Sequence, residues 1–74
     1  MSITKIYLLE NLCCENCAAA IERETASLPG VTAAKIDYEA TKLTVTFDGD
    51  EQEMLHSVSS IASEIDEDIV TREM

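Results

Sequence analysis

Apolar residues recur along this chain with two different periods, and the switches between those periods predict six elements. Residues Ile3 to Leu9 mix β-branched, aromatic and aliphatic side chains, and Ile6 and Leu8 can share one face of a strand. From about Glu15 the spacing lengthens to three and four residues. Cys17, Ile21 and Leu28, with Ala18, Ala20 and Thr25 beside them, predict a helix. The run Ala18-Ala19-Ala20-Ile21-Glu22-Arg23-Glu24 adds strong helix propensity, and Pro29-Gly30 stops the helix and turns the chain. Val31, Ala33 and the pair Ile36/Tyr38 read as a second strand, with Glu39-Ala40-Thr41 as a short connection. Leu43, Val45 and Phe47 then alternate with Thr44 and Thr46, so the second and third strands read as an antiparallel hairpin. Asp48-Gly49-Asp50 breaks that pattern. Met54, Val58, Ile61 and Ile65, joined by Leu55 and Ala62, predict a second amphipathic helix, and Ile69-Val70 suffices for a short last strand.

The order βαββαβ limits the architecture. Right-handed crossovers leave few ways to bury both helical stripes. The expected fold is α+β: a ferredoxin-like sandwich with two helices on one face of a four-stranded antiparallel sheet. No repeat or linker interrupts the pattern, so residues 1–74 are expected to form one domain.

Composition narrows the function. Apolar residues make up 46% and charged residues 27% of 74 positions, the profile of a folded chain. Fifteen acids against five bases leave a formal charge of -10, which repels nucleic acid and anionic membranes. Neither nucleic-acid binding nor direct membrane insertion is expected, because no apolar run approaches the roughly 20 residues of a membrane-crossing helix. The N-terminus lacks the features of a secretory signal, and clustered cysteines without one suit a reducing, cytoplasmic compartment.

All three cysteines fall in Cys13-Cys14-Glu15-Asn16-Cys17, at the predicted junction of the first strand and first helix. In the Cys14-x-x-Cys17 pair, one sulfur in the loop and one in the first helical turn can face a single ion. A helix N-terminus favours thiolate over thiol, and thiolate is the form that binds soft metals such as Cu(I), Zn(II), Cd(II) and Pb(II). A thiol redox site is the competing chemistry at a C-x-x-C helix start, although such motifs usually sit in longer α/β domains.

The stretch Asn11-Leu12-Cys13-Cys14-Glu15-Asn16-Cys17-Ala18, with Ile21-Glu22 and Leu28-Pro29-Gly30-Val31, resembles the heavy-metal-associated domain. That family's usual pattern is Gly-Met-x-Cys-x-x-Cys, a helix, then Leu-Pro-Gly-Val. The resemblance implies Cys14 and Cys17 as metal ligands, in either a free copper chaperone or a cytosolic module of a metal-exporting P-type ATPase. Asn11-Leu12 departs from the usual Gly-Met. Cys13 stands where zinc, cadmium and lead members often carry an extra ligand, so a third thiolate to a divalent ion is expected there. The ending Ile65-Asp66-Glu67-Asp68-Ile69-Val70 offers no lysine to balance a two-thiolate Cu(I) site and is similar to that of zinc and cadmium transporters.

These readings favour a non-catalytic domain that binds and transfers Zn(II), Cd(II) or Pb(II), with a transmembrane ATPase as partner in cis or in trans. A Cu(I) metallochaperone is the alternative, and a small thiol redox protein is a third. Metal-bridged homodimers are a further expectation for an exposed three-thiol site. Glu15, Asp66 and Glu67 are candidate outer ligands, more simply read as solvated acids. His56 lies off the apolar stripe and Met54 on it, and Ser57, Ser59, Ser60 and Ser63 have no base to activate them.

Overall fold

A computed structural model describes residues 2–12 and 14–73. The elements are β1 (Ile3–Glu10), α1 (Glu15–Ala26), β2 (Val31–Asp37), β3 (Lys42–Phe47), α2 (Glu51–Ile65) and β4 (Val70–Glu73). The strands form one antiparallel sheet in the order β2-β3-β1-β4. This is the expected ferredoxin-like βαββαβ sandwich. Each helix returns the chain across the sheet, which puts the β1–α1 and α2–β4 loops at the same end. Among the described residues no helix is long and apolar enough to cross a membrane.

The core lies between sheet and helices. Leu43, Val45 and Phe47 of β3 are fully buried, as their alternation predicts, and they meet Ile21 and Ala18 of α1 and Met54, Val58 and Ala62 of α2. Ile6 and Leu8 share one face of β1, as expected, and it is the face turned away from the helices. Tyr7 and Leu9 are buried and Ile6 is 41% exposed, on the open face of the sheet. Both alternating sets of β1 are apolar, so periodicity cannot choose between them. The register chooses: Tyr7 pairs with Leu43 of β3, whose inward face is unambiguous.

Three smaller differences have local causes. An irregularity between Val31 and Ala33 moves the inward position to Ala34 and leaves Ala33 exposed. Tyr38 lies just past the end of β2, in the turn. Ile69 is buried ahead of β4, and Val70, the first residue of that strand, is 45% exposed.

The Pro29-Gly30 stop acts as predicted. Gly30 has φ +86, and a Cβ there would lie 2.8 Å from the carbonyl oxygen of Asp48. That close approach serves a bond in which the Asp48 N–H donates to the Gly30 carbonyl at 2.9 Å. Only glycine fits both the backbone angle and the gap.

Candidate metal centre

Cys14 is the N-cap of α1, with extended backbone angles (φ -135, ψ 122), and its carbonyl accepts from Ala18 N–H at 3.0 Å. Cys17 lies in the first turn. Asx, Ser or Thr is the usual N-cap, because a side-chain oxygen satisfies the orphan amides there. Here the side chain closes no ordinary cap bond, but the sulfur faces the same donors. The Cys14 thiol is held below its usual pKa chiefly by the Cys17 backbone N–H, then by the Cys17 side chain and the Asn16 backbone N–H. Partial desolvation and the Asp66 carboxylate oppose this. Each lowering interaction is a donor aimed at sulfur, so the local fold favours thiolate before any ion arrives. Cys14 and Cys17 are half-buried thiols, close enough to act on one another and open to incoming ligands. Cys13 lies outside the described residues.

Leu12, where the resemblance leads one to expect methionine, is buried and joins the core beneath the site. Its neighbour Asn11 has φ 69, a left-handed angle that glycine or asparagine tolerates best. The Asn11 side chain donates from Nδ2 to the Asp68 carbonyl at 2.9 Å and joins the two loops at this end. Sequence reading gave Asn11 no role beyond its departure from the family pattern. Only its place in a Gly-favouring turn hinted at one.

The candidate outer ligands separate in the structure. Glu15 and Glu67 are exposed, whereas Asp66 is half-buried and its charge reaches Cys14. The Asp66 carboxylate accepts the Asp68 N–H at 3.0 Å. Among the described residues, no three His, Cys, Asp or Glu side chains converge on one point that could hold an ion. His56 is exposed on α2, ten residues before Asp66 and therefore about 15 Å along the helix from it. A cleft of about 200 Å³ between Leu28-Pro29 and Met54 lies at the far end of α1 and takes no part in the cysteine site.

The heavy-metal-associated domain family model matches residues 6–70. The chain belongs to that family. Its members are metal-binding modules rather than catalysts. The chain is 32% identical over 68 residues to the cadmium, zinc and cobalt-transporting ATPase of Bacillus subtilis, covering 90% of this chain and 10% of that protein. It is 35% identical over 63 residues to the copper chaperone CopZ of the same organism, covering 85% of this chain and 86% of CopZ. The yeast copper transporter domain Ccc2a superposes with a TM-score of 0.76 at 20% identity, over 96% of this chain and 93% of that one, a likeness of fold. This heavy-metal-associated domain is thus related to an ATPase of which it spans a tenth and to a chaperone of nearly its own length.

Proposed function

We propose that this domain takes up a soft metal ion on Cys14 and Cys17, with Cys13 as third thiolate, and passes it on by stepwise ligand exchange. The observation that carries this reading is the placement of Cys14 at the N-cap and Cys17 in the first turn. There, backbone N–H groups lower the Cys14 thiol's proton affinity. The ion is cargo, and half-buried sulfurs at a loop suit its transfer from one thiolate set to another.

The favoured cargo is Zn(II), Cd(II) or Pb(II), and the favoured setting is the N-terminal regulatory module of a P-type ATPase that exports them, on its cytoplasmic side. A divalent ion on three thiolates carries one net negative charge, whereas Cu(I) on three carries two. In a domain of formal charge -10, with Asp66 beside Cys14, the smaller excess is favoured. Kinship with a cadmium, zinc and cobalt-transporting ATPase supports that setting. The second reading is a free Cu(I) metallochaperone serving a transporter in trans, favoured by the 86% coverage of CopZ.

Competitive loading with Zn(II), Cd(II) and Cu(I) under reducing conditions, followed by native mass spectrometry and X-ray absorption, tests both readings. A divalent ion in a three-sulfur shell is expected. No retained metal would sink the proposal, and retention of Cu(I) alone in a two-sulfur shell would favour the chaperone. Cys13→Ser is expected to weaken Cd(II) binding and reduce the thiolate charge-transfer absorption. If neither changes, Cys13 is not a ligand.

A further inference from the structure

We propose that Asn11 is a positioning residue that governs metal release: its bridge to Asp68 clamps the segment entering α1 against the α2–β4 loop. The bridge restrains the sulfurs' surroundings while an acceptor's thiolates replace the ligands one at a time. This role rests on the reading that the cysteines carry a metal ion.

The argument starts from the backbone. At φ 69, glycine would serve the turn and contribute nothing else, whereas asparagine adopts the same angle and brings a side-chain amide. That amide donates to a main-chain carbonyl 57 residues away in sequence, at 2.9 Å. Both ends of the bridge are anchored. On the Asn11 side, Leu12 is 7% exposed and the Leu9 N–H donates to the Thr41 carbonyl at 2.7 Å. On the Asp68 side, Ile69 is 5% exposed, and three bonds brace the loop. Asp66 N–H donates to the Ala62 carbonyl, Asp68 N–H to Asp66 Oδ1, and Ile69 N–H to the Asp66 carbonyl, at 2.9 to 3.1 Å. A hydrogen bond between two pre-ordered segments costs little conformational entropy to form, so the closed state is favoured. The same braced loop holds Asp66 where its charge reaches Cys14. Ligand exchange requires an acceptor thiolate to approach these sulfurs, and the clamp restrains the segment beside them. Its effect falls on the rate of exchange more than on affinity, because the bridge can remain closed with or without metal.

Two variants separate the bridge from the turn. Asn11→Gly keeps the left-handed angle and removes the donor. Asn11→Asp keeps the size and sets a carboxylate oxygen against the carbonyl. Asp68→Asn is the control, because the acceptor is the main chain and survives it. Stopped-flow transfer of Cd(II) from the loaded protein to excess EDTA is expected to run about three- to tenfold faster in both Asn11 variants. That is the range one exposed amide–carbonyl bond supports. Cd(II) affinity should change less than the rate, and Asp68→Asn should release like the wild type. In the metal-free protein, the Asn11 side-chain amide protons should exchange with solvent more slowly than those of exposed Asn16, as read by NMR. Equal release rates in wild type and both Asn11 variants, or amide exchange as fast as at Asn16, would overturn the role of Asn11 alone. Failure of the wild type to hold Cd(II) overturns the metal reading and this role with it.

Discussion

Tyr7 shows what one buried hydroxyl does to this small core. Its side chain is fully buried, yet its hydroxyl finds no hydrogen-bond partner among the described residues. Tyr7→Phe removes an unsatisfied polar group without changing shape, so it should be neutral or stabilising by up to about 1 kcal/mol in urea unfolding. Burial pushes the Tyr7 phenol above its ordinary pKa, with Glu73 and Glu51 adding to the rise and Lys5 opposing it. The Lys5 ammonium is also raised, first by its hydrogen bond to Glu73 and then by Glu51, against partial desolvation. In both cases the native state keeps a proton that the unfolded chain releases first. Stability is therefore present below the ordinary values and lost as pH rises through the raised ones. The urea midpoint should fall between about pH 9 and 11, and less steeply in Tyr7→Phe.

At the level of elements, α1 is tied to the edge strand by a side chain. The Ile36 N–H of β2 donates to Glu22 Oε2 at 2.8 Å. Glu22→Ala should cost about 1–2 kcal/mol, because it leaves a partly buried amide unpaired. Gly30→Ala should cost more than about 1 kcal/mol, since alanine meets both a positive φ and the Asp48 carbonyl. The two sides of the sheet should respond very differently to substitution. Leu43→Ala empties a fully buried position of β3 and should cost about 2–5 kcal/mol. Ile6→Thr, on the open face of β1, should stay within about 0.5 kcal/mol. Thermal and urea unfolding of the four variants check these figures, and comparable losses at Ile6 and Leu43 would contradict the facing of β1.

Across the whole molecule, charge is unevenly distributed. Three of the five bases, Lys35, Lys42 and Arg72, project from the open sheet face, with Arg72 paired to Glu10 at 2.6 Å. Lys5 is the base on the inner side and bridges Glu51 and Glu73. The helices and their loops hold most of the acids and only Arg23 in return. Mutual repulsion there opposes the compact state and is screened by salt. Raising KCl from about 10 to 200 mM should therefore raise the urea midpoint of the metal-free protein, and a fall would mean that the ion pairs outweigh the repulsion.

Much of this was legible in one dimension. The order of elements, the Pro29-Gly30 stop, the inward face of β3 and the C-x-x-C pair at the helix start all follow from local spacing. Each depends on residues within a turn or two of one another, where periodicity and backbone preference act directly. Tertiary structure alone decided the facing of β1, because Ile6/Leu8 and Tyr7/Leu9 are equally apolar and only pairing with Leu43 separates them. It also brought Asn11 to Asp68, Glu22 to Ile36 and Asp66 towards Cys14. Those contacts join segments far apart in the chain through one side chain each. Their geometry is set by strand register and helix length, which no local pattern records.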